Sequence, residues 1–267
     1  MGAHVVERMQ VHPDSLFYHE HVVRYRFSEM YLRPGPTLDL ACGSGYGTDR
    51  LSRLPGVRVF GADIDVPSLH ACRVDYPNHG VNFLAASGPR LPFGECFFQN
   101  IVTLETIEHI EDDRGYLREL VRTLRPDGVC ILSTPNRAYS QRQNIVNPYH
   151  VREYAESELL ELLKLFFGKV SLFYQGFSPH YHEQLSDYAA SIQTRKKRSR
   201  MAQFTINTFY RPVKRLVPAG MTNFFIHRWL GLEYPQPDMA DISISDHPLE
   251  DTSVFIAVCH QPCPSHA

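Results

Sequence analysis

Residues 37–48 read TLDLACGSGYGT, and no other stretch limits the fold so tightly. Leu38, Leu40 and Ala41 around a single acid, Asp39, suit a strand buried on both faces of a parallel sheet. Gly43, Gly45 and Gly47 follow on alternate positions, where the chain must turn sharply and a ligand can lie against main-chain atoms. A helix opening near Thr48 would then point its N-terminus at the crevice above the strand's carboxyl end. The spacing G-S-G-Y-G does not meet the dinucleotide fingerprint G-x-G-x-x-G.

The next expected strand, VRVFG at 57–61, runs into Ala62, Asp63, Ile64 and Asp65. That sets an acid about twenty residues past the glycines, where a ribose hydroxyl is usually held. LDLACGSGYGT followed by GADID resembles motifs I and II of the class I S-adenosylmethionine-dependent methyltransferases. The resemblance implies that cofactor, with Asp39, Ala41, Cys42, Gly43 and Gly45 beside its methionine part. It also implies Asp63 on the ribose and Ile64 against adenine. Residues 86–93, ASGPRLPF, resemble the family's adenine-side loop, with Ser87 and Gly88 at the contact. Many relatives carry an aspartate at the position of Ser87; serine is a shorter, neutral partner for the adenine amino group.

Further strands are expected at Val81–Ala85, Asn100–Leu104, Val129–Ser133 and Val170–Tyr174, with an antiparallel strand over Ser253–Cys259 to close the sheet. The fold class is α/β, a Rossmann-like seven-stranded sheet with an antiparallel last strand and helices on both faces. A helix is expected over Ser15–Leu32, its polar side carrying Tyr18, His19, His21, Arg24 and Tyr25. By resemblance, residues 1–36 cover the cofactor's amino-acid end, with Tyr18, Arg24 and Tyr25 in reach of its carboxylate. Residues 37–175 and 252–267 form the core. Between the last two strands lie roughly 75 residues, far beyond a hairpin loop, so 176–251 is expected to be a helical insertion, a lid or a homodimer contact. Its stretch 231–251, rich in proline and acid, is expected to be a loop.

The fourth strand delivers Glu105, Thr106, Ile107, Glu108 and His109 to the reaction edge, and Asn147-Pro148-Tyr149-His150 follows the fifth. These segments resemble the E-H-I/V and N-P-x-H motifs of small-molecule methyltransferases, including those of ubiquinone biosynthesis. Glu105 joins the cofactor set by that resemblance. Deprotonating a hydroxyl acceptor needs a base, and an imidazole is ordinarily neutral at cytosolic pH. His109 and His150 are the catalytic candidates. No tight metal-ligand spacing such as H-x-x-x-H occurs, and scattered ligands are cheap among 14 histidines and 29 acids, so no metal is expected.

The expected reaction is methyl transfer to a small-molecule acceptor, a hydroxyl of a saccharide or specialised metabolite. The alternatives are an RNA methyltransferase and a cofactor-binding scaffold without turnover. A formal charge of -2 argues against RNA, although Arg195, Lys196, Lys197, Arg198 and Arg200 form a local basic run suited to weak peripheral contact with a membrane or an anionic substrate. The segment MGAHVVERMQ has no apolar signal core, no apolar run approaches the roughly 18 residues of a membrane span, and the six cysteines form no C-x-x-C pair. A soluble, cytoplasmic protein is expected.

Overall fold

The computed structural model describes residues 18–77, 81–88, 90–143, 147–184, 187 and 239–263. The basic run at 195–200 and most of the helical insertion expected at 176–251 lie outside the described residues. Helix α1 (Tyr18–Glu29) leads into strand β1 (Gly35–Leu40), helix α2 (Tyr46–Ser52), β2 (Val57–Asp63), α3 (Val66–Asp75), β3 (Asn82–Ala85) and β4 (Phe98–Leu104). Then follow α4 (Asp113–Thr123), β5 (Leu124–Pro135), α5 (Arg137–Arg142), α6 (Glu156–Lys164), β6 (Phe167–Phe177), β7 (Ile242–Ser245) and β8 (Val254–Pro262).

These strands make one sheet in the order β3-β2-β1-β4-β5-β8-β6-β7. β1 to β5 are mutually parallel, and β8 runs antiparallel between β5 and β6. Two expectations are corrected. The sheet has eight strands because Ile242-Ser243-Ile244-Ser245, placed in a loop from composition, pairs antiparallel with the end of β6. The antiparallel strand β8 does not close the sheet; it is interior, consistent with the unbroken buried run Val254–Cys259. β7 takes the edge.

Alternation along the central strands supplies two cores. On one face Leu38, Leu40, Ile101 and Leu132 pack with Leu117 and Leu120 of α4 and Leu159 and Leu163 of α6. On the other, Ile131, Ile256 and Val258 meet Phe27 of α1, while Val59 and Val102 meet Tyr25. Each such aliphatic side chain contributes about 1.5–3 kcal/mol by burial. On the polar side of α1, His21, Arg24 and Tyr25 are buried, because the helix is covered on more than one side. Among the described residues no helix is long and apolar enough to cross a membrane.

Candidate functional site

The glycine turn after β1 divides its work three ways. A Cβ on Gly47 would lie 2.0 Å from Cζ of Tyr25, so this glycine admits the α1 aromatic ring. A Cβ on Gly45 would meet Cys72 Sγ at 2.7 Å and the Phe83 ring at 3.1 Å, so it lets the turn pack on α3 and β3. Gly43, at φ +53°, has nothing within 4 Å of an added Cβ among the described residues. Of the three it alone opens a cradle above the strand end.

Beneath the turn, Asp39 is 1% exposed and accepts from Tyr25 Oη at 3.0 Å and from Thr48 Oγ1 at 2.5 Å. Burial lifts its carboxyl to about 6 against these two bonds. Asp39 and Tyr25, both expected beside the cofactor, are thus turned to each other and fasten α1 to the turn. Cys42 is buried with Leu69, Cys72 and Phe83, so only its main chain belongs to the turn's surface. Ala41 is exposed and held at φ +62°.

Asp63, at the end of β2, accepts from Gly43 N–H at 2.8 Å through Oδ2 and from Asp65 N–H at 2.8 Å through Oδ1. Its carboxylate therefore braces the open glycine while standing at the crevice. Ile64 beside it is 70% exposed, an apolar side chain awaiting a cover. Ser87 is exposed, and the loop of Ala85, Ala86, Ser87, Arg90 and Leu91 through Phe93 lines an open cavity of about 680 Å³. Gly88 lies where a Cβ would strike the Tyr116 ring at 2.4 Å, which makes it a packing position under that loop.

At the reaction edge Glu105 is held at φ +52°, its N–H shared between Ser133 O and Oγ, both at 3.1 Å. Ser133 Oγ donates in turn to Glu105 Oε1 at 2.6 Å. Ala41 and Glu105, non-glycine residues in the left-handed region just past β1 and β4, place backbone strain at the same crevice. Glu108 is fully buried; its Oε2 accepts from Thr134 Oγ1 at 3.0 Å, and burial, then Glu105, pushes its carboxyl well above the usual range.

The segment Asn147–Tyr154 lies across this edge, its Val151 and Arg152 N–H groups donating to Glu108 O. It brings the His109 and His150 rings to 4.9 Å, edge to face. His109 Nδ1 faces the Tyr149 carbonyl at 3.0 Å, and a carbonyl only accepts, so the proton sits on Nδ1 and the neutral ring's lone pair on Nε2. His150 has both nitrogens engaged, Nδ1 with Glu153 Oε1 at 2.7 Å and Nε2 with Asn147 Nδ2 at 2.9 Å. Ligand atoms of Glu108, His109 and His150 lie within 4.8 Å of one another, so these three could hold a metal ion.

Helix α1 supplies the remaining wall. Tyr18 lies 5.9 Å from Tyr46 of the turn, ring to ring. Arg24, 2% exposed, donates to Gln175 Oε1 at 3.3 Å and lies 3.9 Å from Glu20. Among the described residues, buried side-chain atoms without a hydrogen-bond partner include His19 Nδ1, Arg24 Nε, Ser44 Oγ, Tyr46 Oη and Glu108 Oε1. They lie on α1, the glycine turn and the turn after β4, around the cradle. A charged, zwitterionic ligand with hydroxyls is the kind of group such donors and acceptors fit. Sequence reasoning missed Glu20, Tyr46 and Gln175. Gln175 is far off in sequence, and only the strand order brings it under α1.

Residues 38–132 match the family of methyltransferase domains. A protein of Mycolicibacterium smegmatis named "Probable S-adenosylmethionine-dependent methyltransferase" is 33% identical over 153 residues, covering 57% of this chain and 58% of that one. A ubiquinone biosynthesis O-methyltransferase of Cereibacter sphaeroides is 37% identical over 109 residues, 38% of this chain and 41% of that protein. The chain thus spans about half the length of the curated relatives it matches. A Thermotoga maritima S-adenosylmethionine-dependent methyltransferase, described as a possible histamine N-methyltransferase, shares the fold with TM-score 0.57, 15% identity and 90% coverage of both chains. Residues 38–132 are thus similar to a methyltransferase domain, and S-adenosylmethionine is the cofactor that this similarity implies. The open glycine and the unpartnered atoms around it fit that cofactor.

Proposed function

We propose that the chain transfers the methyl group of S-adenosylmethionine to a hydroxyl of a small acceptor, a saccharide or another specialised metabolite. The single observation carrying the choice of hydroxyl is His109: its Nδ1 is tied to a carbonyl and its Nε2 lone pair stands at the reaction edge. Bound cofactor would supply an electrophilic methyl on a sulfonium. Asp63 and Ile64 would hold its nucleoside end, the Gly43 main chain and Arg24 its methionine end. His109 Nε2 would take the acceptor's proton as the oxygen–carbon bond forms and the carbon–sulfur bond breaks. His150, with both nitrogens engaged, would position the loop and the His109 ring. Exposed Tyr149 and Val151 offer an apolar rim to the acceptor.

The segment 176–251 serves in this reading as an acceptor lid or homodimer contact. Its described ends support that: the chain leaves β6 at the carboxyl edge, and Ser178 Oγ donates to Asp241 Oδ1 at 2.6 Å as it returns. Six free cysteines, four of them buried, suit a cytoplasmic setting.

Mass spectrometry of a metabolite extract incubated with the enzyme and methyl-labelled cofactor tests the proposal. The expected product is a labelled small molecule bearing an O-methyl group, its formation cut about 10²–10⁴-fold by His109→Gln with cofactor affinity unchanged. A labelled RNA, or transfer undiminished in the variant, would contradict it.

The clustering of Glu108, His109 and His150 favours a second reading, in which a divalent ion acidifies the hydroxyl. His150, backed at Nδ1 by the Glu153 carboxylate, has the outer-shell partner typical of metal-bound imidazole, and an ion at its Nε2 would take the place of the Asn147 Nδ2 donor. Activity abolished by chelation and restored by added divalent ion selects this reading; activity untouched by chelator selects the direct base.

A further inference from the structure

At the edge of the sheet opposite the cofactor crevice, β5 enters, β8 leaves and β6 enters side by side. Arg33, Pro126, Asp127, Gly128, Lys169, His260 and Gln261 enclose a cavity of about 270 Å³ there. Lys169 and His260 are direct antiparallel partners, so their side chains rise from the same face of the sheet. Arg33 reaches in from the α1–β1 turn and is anchored by its Nη1 donating to Asp127 O at 3.0 Å. Its Nε and Nη2 have no partner among the described residues, and neither Arg33 nor Lys169 forms an ion pair there. Burial, then the Arg33 and Lys169 charges, hold His260 below the usual imidazole range, against the pull of the Gly128 backbone. Two fixed cations and an imidazole thus face one acid, Asp127. A lone lysine on a surface needs no explanation, but two cations from separate segments lining one cavity against a single acid leave positive potential uncompensated.

We propose that this cavity binds a phosphoryl or diphosphate group, free or carried on a metabolite. The chemistry is that of a guanidinium fork plus an ammonium. Its volume falls below the roughly 300–1,000 Å³ usual for a whole-ligand pocket, so the site grips a group and leaves any carrier outside. It shares no residue with the cofactor crevice.

Calorimetric titration of the full chain with inorganic phosphate, diphosphate and glycerol 3-phosphate, at ionic strength fixed with sodium chloride, tests it. The expected result is saturable one-to-one binding of at least one of the three. Lys169→Gln and Arg33→Gln should each weaken it about tenfold or more, with S-adenosylhomocysteine affinity unchanged. Tightest binding of the glycerol ester identifies a carried group, and tightest binding of an inorganic ion identifies a free one. Absence of saturable binding up to about 10 mM of all three overturns the proposal. So does binding that survives substitution, since it would then lie elsewhere. Lys169 is exposed, so if Arg33→Gln fails to fold, the affinity of Lys169→Gln alone decides between the two outcomes.

Discussion

Glu20 shows how a single residue links the site to solution conditions. Burial lifts its carboxyl from 4.5 to about 7, with Arg24 pulling down and Glu105 pushing up. The folded state therefore binds the proton more tightly than the unfolded one. The stability associated with this group is complete below about pH 4.5 and is lost as pH rises through about 7. A shift of that size corresponds to about 3 kcal/mol. Glu20→Gln stays neutral throughout, so its stability relative to the unsubstituted protein should improve by up to about 3 kcal/mol between pH 4.5 and 8. Denaturant melts at several pH values check this, and a difference that stays flat with pH would remove the buried acid from the account. Asp39, lifted to about 6, adds a slope of the same sign in both proteins.

Helix α1 and the glycine turn behave as one element because Tyr25 threads over Gly47 to reach Asp39. Gly47→Ala would press a methyl into that ring, and the helix must yield. The expected cost is about 1–3 kcal/mol, with faster amide exchange in α1 and weakened cofactor binding. Unchanged exchange in α1 would show that the helix is held by other contacts. Turn-flanked strands such as β1, β2 and β4 were legible in the sequence, since buried parallel strands are short apolar runs with glycine or acid at their carboxyl ends. The reaction edge was legible for the same reason: strand ends at Glu105 and Pro135 project onto one side. β7 was obscured by the prolines and acids around four alternating residues. The strand expected from Val129 begins earlier, at Leu124, which pairs with Phe98 before the register with β4 shifts and resumes at Val129. The buried side of α1 could not be read, since Arg24 and Tyr25 look solvated until Gln175 and Asp39 are brought to them by tertiary packing.

For the whole molecule, the central claim is that one ligand spans the carboxyl edge from Ile64 to Arg24, with the main chain of Gly43 beneath it. Gly43→Ala probes this most directly, because the added Cβ meets no atom of the described residues within 4 Å and enters the open cradle. Its left-handed backbone costs about 1–2 kcal/mol in stability, too little to unfold a domain of this size. Calorimetric titration with S-adenosylhomocysteine should give one site per chain in the unsubstituted protein and about tenfold or greater weakening in folded Gly43→Ala. Absence of binding at about 1 mM ligand, or equal affinity in the two proteins, would contradict the account.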